Sequence, residues 1–180
     1  MKKIAVVIIG ILFSLSALAQ TDSIGIYAVH TDLLSRIDLL THKQIKISSA
    51  VVKSKAKLSF NGTTSQNKFN GTAKFRLYFG TPSSYDVAKY YMFTPSYSDK
   101  DFSVGKFEVK KGVRYLTTAT VSIVSSTIGA KEAKGIAVNS VKLRDNVYEI
   151  TVTGPAGEYC IMPVLNGAAG YAGVFDFTIE

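Results

Sequence analysis

The residues best suited to contact a ligand lie in one segment, residues 80–101, which the sequence predicts to be a long loop. A tyrosine ring on a loop can stack on a sugar ring, and its amphipathic shape also suits a protein interface. The favoured interpretation is that some of the rings cover the open edge of the sandwich, since scattered apolar groups are common on protein surfaces, and ligand binding is the alternative. The candidate ligand-binding residues are the four tyrosines and two lysines of this loop, Tyr85, Tyr90, Tyr91, Tyr97, Lys89 and Lys100.

The only cysteine, Cys160, stands in the sequence GPAGEYCIM beside a carboxylate and a phenol. Catalysis by a thiol needs a base within hydrogen-bond reach and usually a group that orients the base. The only histidines are His30 and His42, and nothing around Cys160 resembles a protease signature. A free cysteine within a predicted strand is more typical of packing than of reactivity. The sequence therefore predicts a packing role for this thiol.

Metal, cofactor and hydrolytic sites have equally little support. His30, Asp32 and His42 could be imagined as zinc ligands, but their spacing matches no ligand pattern. There is no GxGxxG, P-loop or Gly-x-Ser-x-Gly sequence, and paired carboxylates for glycoside cleavage would have to come from scattered positions. We predict no catalytic residue, no cofactor and no metal. A hydrolase acting on an envelope or dietary polysaccharide is the alternative, as is a purely structural exported module.

The elements that must position the loop are β-strands, because apolar and polar residues alternate along much of the chain after residue 20. In AKFRLYF, Phe75 and Leu77 share one face, while Lys74 and Arg76 share the other. Such alternation indicates strands with one buried face. Many short strands between turn residues predict two packed antiparallel sheets, an all-β, immunoglobulin-like sandwich. The predicted core positions are Phe75, Leu77, Phe79, Phe107, Val109, Tyr148, Ile150, Val152, Phe175 and Phe177.

Local signals predict how some strands are joined. IGIYAV and the following TDLLSRIDLL form a predicted hairpin with its turn at residues 30–32, although the second segment also has leucines at helical spacing. The repeated sequence Phe-Asn-Gly-Thr, at residues 60–63 and 69–72, predicts two turns around a small loop. In GPAGEYCIM, the hydroxyl of Tyr159 can bond back to the preceding turn, as in a tyrosine corner.

The N-terminus has the three parts of a secretory signal peptide: two lysines, the apolar run IAVVIIGILF and the tripeptide Ala-Leu-Ala. A spanning helix would need about 20 apolar residues, and this shorter run is followed at once by Ser14 and Ser16. We predict a signal peptide over residues 1–19 and one β-sandwich domain over residues 20–180. The cleavage point has no cysteine for a lipid anchor, so we expect a periplasmic or secreted protein without stable membrane insertion.

The positive charge is explained most simply by solubility, and it also bears on the kind of partner. The formal net charge of +8 falls to +6 when the two lysines of the signal peptide are removed. A positive excess favours anionic surfaces such as polysaccharide, lipid head groups or the cell envelope, and export argues against nucleic acid. The segment VKSKAK alternates lysine with small residues, which is typical of the solvent side of a strand. We predict a non-enzymatic envelope or surface protein that binds a glycan or an envelope protein through its loops.

Five segments of the chain occur in a recognisable order: IGIYAVHTDLLSRIDLL, AKFRLYF, DFSVGKFEVKKGVRY, NVYEITVTGPAGEYCIM and VFDFTIE. In this order the chain resembles a group of uncharacterised exported proteins from Bacteroides-type bacteria. Chains of that group similarly pair a Gly-Ile-Tyr opening with a Gly-Glu-Tyr turn and end in an aromatic strand. The resemblance implies a β-sandwich with no established activity and supplies no catalytic residue. The tyrosine-rich residues 80–101 depart from the group.

The signal peptide gives a direct prediction, that the exported protein begins at Gln20. Cleavage is expected after Ala19 because the Ala-x-Ala pattern ends there. N-terminal sequencing or the intact mass of the exported protein measures this. A mass that still includes residues 1–19 after membrane extraction would show an anchor instead.

Overall fold

The structure is a computed structural model that describes residues 25–31, 33–50, 53–79, 102–118, 127–131, 133–163, 165–166 and 173–180. These residues form β-strands and turns, and none of them lies in a helix. The described part of the chain therefore contains no helix that could span a membrane. The strands in chain order are β1 Gly25–His30, β2 Leu33–Arg36, β3 Gln44–Ala50, β4 Lys53–Asn61, β5 Lys68–Phe69, β6 Thr72–Tyr78, β7 Phe102–Lys106, β8 Glu108–Lys110, β9 Val113–Thr117, β10 Thr127–Ile128, β11 Ala137–Arg144, β12 Val147–Thr153, β13 Gly157–Pro163, β14 Leu165–Asn166 and β15 Phe175–Ile179.

The described strands form three sheets of four or five strands and one two-stranded ladder. The front sheet has the order β11-β12-β6-β1-β2, the middle sheet β5-β15-β13-β7, and the back sheet β3-β4-β9-β8. Strands β10 and β14 make the separate ladder. All of the pairings are antiparallel except that of β5 with β15. The predicted all-β sandwich is confirmed, with a third sheet beyond the predicted two, and the immunoglobulin-like subtype stays a prediction.

The middle sheet lies between two apolar cores, and strand β13 contributes alternate side chains to each of them. Tyr159 and Ile161 belong to a core shared with the front sheet. Cys160 and Met162 belong to a second core, shared with Leu58 and other residues of the back sheet. This alternation is the one predicted for the strand. Both of its faces meet another sheet, and neither faces solvent.

The core between the front and middle sheets is built on the register of β6. Phe75 lies opposite Ala28 of β1 and Ile150 of β12, so the apolar side chains of three strands form one row. The Phe75 ring packs against two aromatic rings of the middle sheet, Phe69 at 5.1 Å and Phe177 at 4.8 Å between centroids. Aromatic pairs at these distances add to the stabilisation from burial.

Most of the predicted core positions are buried, and one prediction is wrong. The confirmed positions are Phe75, Leu77, Phe79, Phe107, Ile150, Val152, Phe175 and Phe177. Tyr148 is partly buried and packs against the same core. Val109, by contrast, is 43% exposed. It lies in β8, an edge strand of three residues that are all exposed, so alternation there does not lead to burial.

The predicted turns that fall within the described residues are present in the structure. Strands β1 and β2 form the expected hairpin, and the helical alternative for the second segment is wrong. Gly62 and Gly71 have φ values of 81° and 73°, the left-handed conformation that Asn-Gly turns favour. The Tyr159 hydroxyl donates to the carbonyl oxygen of Pro155 at 2.6 Å, which is the predicted bond back to the turn.

The Phe75 side chain offers a test of this packing. Phe75→Ala should lower the free energy of unfolding by about 3–5 kcal/mol, because a fully buried ring is lost and a cavity remains. Urea unfolding measures the change. Val109→Ala is the matched control, expected to change the same quantity by about 0.5 kcal/mol or less. A Phe75→Ala loss below about 1 kcal/mol would contradict the face assignment.

Candidate functional site

The ligand-binding residues predicted from the sequence lie outside the described residues, since all of them fall within 80–101: Tyr85, Tyr90, Tyr91, Tyr97, Lys89 and Lys100. Their role stays a prediction. In the described part of the chain, polar side chains converge on several other surfaces, including two with the most varied polar lining. We call these two the basic groove, on the back sheet, and the polar cleft, beside the loop of residues 61–67.

The basic groove lies on the outer face of the back sheet and has a volume of about 150 Å³. Strand β4 alternates buried Leu58 and Phe60 with outward Lys57 and Ser59, so one of its faces joins the core and the other forms the groove. The groove is lined by Lys43, Gln44, Lys46, Lys57, Ser59, Val113 and Tyr115. Lys57 belongs to the segment VKSKAK, for which the sequence predicts a solvent-facing side.

The pairing of three strands brings the groove residues together. Lys46 of β3 lies directly opposite Lys57 of β4. In the next row, Ser59 has Gln44 on one side and Tyr115 of β9 on the other. Like charges directly opposite each other destabilise a strand pair, so the two lysines oppose the pairing that holds them. A hydroxyl, an amide and a phenol stand beside this charge.

Only one carboxylate of the described residues partly balances the lysines. Glu108 forms ion pairs with Lys110 and with Lys57, the latter at 3.0 Å. Hydrogen bonds from Lys110 and Lys57 lower the pKa of Glu108 below its usual value. Lys57 also lies over the ring of Tyr115, 4.7 Å from its centroid. Lys46 forms no ion pair with any described residue, and the groove therefore keeps an excess of positive charge.

The polar cleft, of about 480 Å³, opens between the segment after β2 and the loop after β4. One wall consists of Arg36, Asp38, Leu39 and Leu40, and the other of Asn61, Gly62, Thr64, Gln66 and Asn67. Two buried residues, Arg114 and Asp176, line its base. The cleft thus joins residues of all three sheets and their connections, which explains why no single stretch of sequence indicates it.

An ion cluster is buried beneath the cleft. Arg114 of β9, only 3% exposed, reaches from the back sheet to two carboxylates of the middle sheet. Its Nη1 lies 2.6 Å from Asp176 Oδ2 and 3.4 Å from Glu158 Oε2, and its Nη2 donates to the Asn61 carbonyl at 3.3 Å. The guanidinium also stands 5.1 Å from the centroid of the Phe107 ring. These bonds connect the back sheet to the middle sheet.

Glu158 fastens the loop of residues 61–67 to the middle sheet. Its Oε1 accepts hydrogen bonds from the hydroxyls of Thr178, at 2.7 Å, and Thr64, at 3.0 Å. Its Oε2 accepts from the backbone N–H of Ser65 at 2.9 Å and from Arg114. Both oxygens are therefore engaged by donors. The fold brings the carboxylates of Glu158 and Asp176 together, as a glycoside hydrolase would require. The Glu158 carboxylate accepts its hydrogen bonds from groups within the structure.

Sequence reasoning missed this cluster because it assigned one face of each strand to solvent. In VFDFTIE, Asp176 and Thr178 alternate with Phe175 and Phe177, and a strand with one buried face would expose them to solvent. That expectation is wrong, since all five residues of β15 are buried. The sequence does offer one sign of the cluster, because Asp176 and Thr178 interrupt a strand that is otherwise strongly apolar. This sign does not identify Arg114 as the partner of Asp176.

The structure also describes the surroundings of two other side chains considered for chemistry, Cys160 and His30. Cys160 is fully buried, and burial raises the pKa of its thiol well above the usual range, which agrees with the predicted packing role. The ring of His30 stacks on Phe69 with centroids 4.8 Å apart. Asp32, the third residue considered for zinc, lies outside the described residues. Within the described ranges, no group of three His, Cys, Asp or Glu residues could hold a metal ion.

Comparisons with known proteins give no assignment for this geometry. No protein-family model, no curated protein and no solved structure matched the chain.

The ion cluster gives a prediction for stability. Arg114→Met should lower the free energy of unfolding by about 3–5 kcal/mol, because Glu158 and Asp176 would be left as buried charges without a cation. Urea unfolding at neutral pH measures this. Arg76→Met is the matched control: Arg76 pairs with Glu149 at 3.2 Å in a more exposed position, so a loss of about 0–1 kcal/mol is expected. Equal losses in the two variants would contradict the assigned role of the cluster.

Proposed function

We propose that this protein is a non-enzymatic, exported binding module and that the basic groove binds an acidic glycan. The observation that carries the proposal is the row in which Lys46 faces Lys57 across two strands. Two like charges in this position weaken the sheet. Glu108 already pairs with Lys57 but is shared with Lys110, so a bound polyanion would relieve the repulsion mainly by neutralising Lys46. Departures from the rules of stable pairing are expected at functional sites.

The other side chains of the groove favour a glycan among possible anions. An acidic polysaccharide presents hydroxyl groups as well as carboxylate or sulfate groups along an extended chain. Gln44 and Ser59 can exchange hydrogen bonds with hydroxyls, since an amide and a hydroxyl both donate and accept. The Tyr115 ring adds an apolar surface beside the lysines.

Export and the predicted loop complete the proposal. Removal of the signal peptide leaves a formal net charge of +6, which would draw the protein toward an anionic envelope. The loop of residues 80–101 is proposed as a second contact, in which Tyr90 and Tyr91 stack on sugar rings. An envelope protein remains the other kind of partner that such tyrosines suit.

Binding to dextran sulfate and to polygalacturonate, with neutral dextran for comparison, tests the proposal. The mature protein should bind both polyanions and release them as sodium chloride is raised to about 0.5 M, because salt screens exposed charges. Lys46→Gln and Lys57→Gln should each weaken binding severalfold. Lys46→Gln should also leave the melting temperature unchanged or raise it, since a like-charge contact is removed.

Lys142→Gln is the matched control, because Lys142 is exposed on the front sheet and pairs with Asp145 at 2.8 Å. It should bind the polyanions like the unmodified protein. Equal effects of all three lysine substitutions would mean that net charge, and not the groove, is responsible. Binding only to vesicles of anionic phospholipid would replace the glycan with a membrane surface, and release of sugar products would favour a hydrolase.

Tyr90→Ala and Tyr91→Ala test the loop contact in the same assay, with an expected loss of about 1–3 kcal/mol of binding free energy for a fully engaged ring.

A further inference from the structure

The polar cleft differs from the basic groove in its charge. Two guanidinium groups, from Arg36 and Arg114, and two carboxylates, from Asp38 and Asp176, border it. The formal charges of these four groups cancel, and Glu158 behind Arg114 adds one negative charge, so the cleft has no positive excess to attract an anion. Its remaining polar lining consists of amides and hydroxyls, which suit an uncharged ligand able both to donate and to accept hydrogen bonds.

Two polar side chains of the rim are available to such a ligand. The carboxylate of Asp38 and the amide of Gln66 are exposed, and neither forms a hydrogen bond with any residue in the described part of the chain. They come from the two different segments that line the cleft. Leu39 and Leu40, both partly buried, add an apolar surface next to Asp38. Convergent polar groups around an apolar patch are typical of small-molecule sites.

Both walls are held in place by bonds within the protein. On one side, Glu158 binds Thr64 and Ser65 of the loop, and the Asn67 amide donates to the Asp176 carbonyl at 3.0 Å. On the other side, the backbone of Leu40 exchanges two hydrogen bonds with that of Val174, at 2.8 and 3.0 Å. A site that is ordered before binding loses less entropy when the ligand enters.

We infer that the polar cleft is a second binding site and that it takes a short stretch of a neutral glycan. A sugar ring presents adjacent hydroxyls, which a carboxylate can accept from and a guanidinium or amide can donate to. Its C–H face can lie against the leucines. The volume of about 480 Å³ falls within the range of small-molecule pockets. This inference does not depend on the basic groove, because the two sites differ in ligand charge and have no lining residue in common.

Calorimetric titration of the mature protein with neutral hexasaccharides of glucose, mannose, xylose and N-acetylglucosamine tests the inference. Sodium chloride at about 0.5 M suppresses binding at the basic groove, so the two proposals can fail separately. At least one of these sugars should bind with a Kd below about 1 mM. Asp38→Ala and Gln66→Ala should each weaken that binding about tenfold, which is the usual effect of losing a hydrogen bond to a ligand.

Thr63→Ala is the matched control, since Thr63 is exposed in the same loop but does not line the cleft. It should bind like the unmodified protein. All of these side chains are exposed, and equal unfolding midpoints would show that each variant is folded. The inference is overturned if none of the four sugars binds, if neither cleft variant weakens binding, or if Lys57→Gln weakens it as much as they do.

Discussion

Along its central strands β13 and β15, the middle sheet is covered on both faces by another sheet, and this constraint determines what the rest of the structure must provide. Any polar side chain on such a sheet needs a partner within the protein, because burying an unpaired charge costs several kcal/mol. Glu158 and Asp176 both lie on its back face, and Arg114 of the back sheet supplies their cation. The loop of residues 61–67 supplies further donors. The position of that loop, and therefore one wall of the cleft, follows from the need to satisfy these carboxylates.

The sequence predicted the parts of the fold that depend on local pattern. Phe75 and Leu77 are buried as their alternation indicates, and the Asn-Gly turns and the Tyr159 bond are present. Alternation identifies which residues share a face but not what covers that face. Val109 is exposed because its strand is at an edge, and Asp176 is buried because a third sheet covers it. Neither fact is encoded near the residue concerned.

The two surfaces were predictable to different degrees. Lysines alternating in VKSKAK indicate a solvent-facing strand, so part of the basic groove could be expected. Its full composition depends on the register of β4 with both β3 and β9, which joins Gln44, Ser59 and Tyr115 in one row. The polar cleft could not be predicted, since Arg36, Gln66 and Asp176 come from distant parts of the chain. Long-range pairing is what a single sequence specifies least directly.

The bond between Thr64 and Thr178 joins residues that are 114 positions apart. Closing a chain segment of that length loses entropy before any contact compensates for it, and folds dominated by such contacts form slowly. The neighbouring parallel pairing of β5 with β15 has the same property. The wall of the cleft is therefore completed only when both ends of this long segment have met. Until that contact forms, the loop of residues 61–67 lacks the Thr178 side of its hydrogen-bond network.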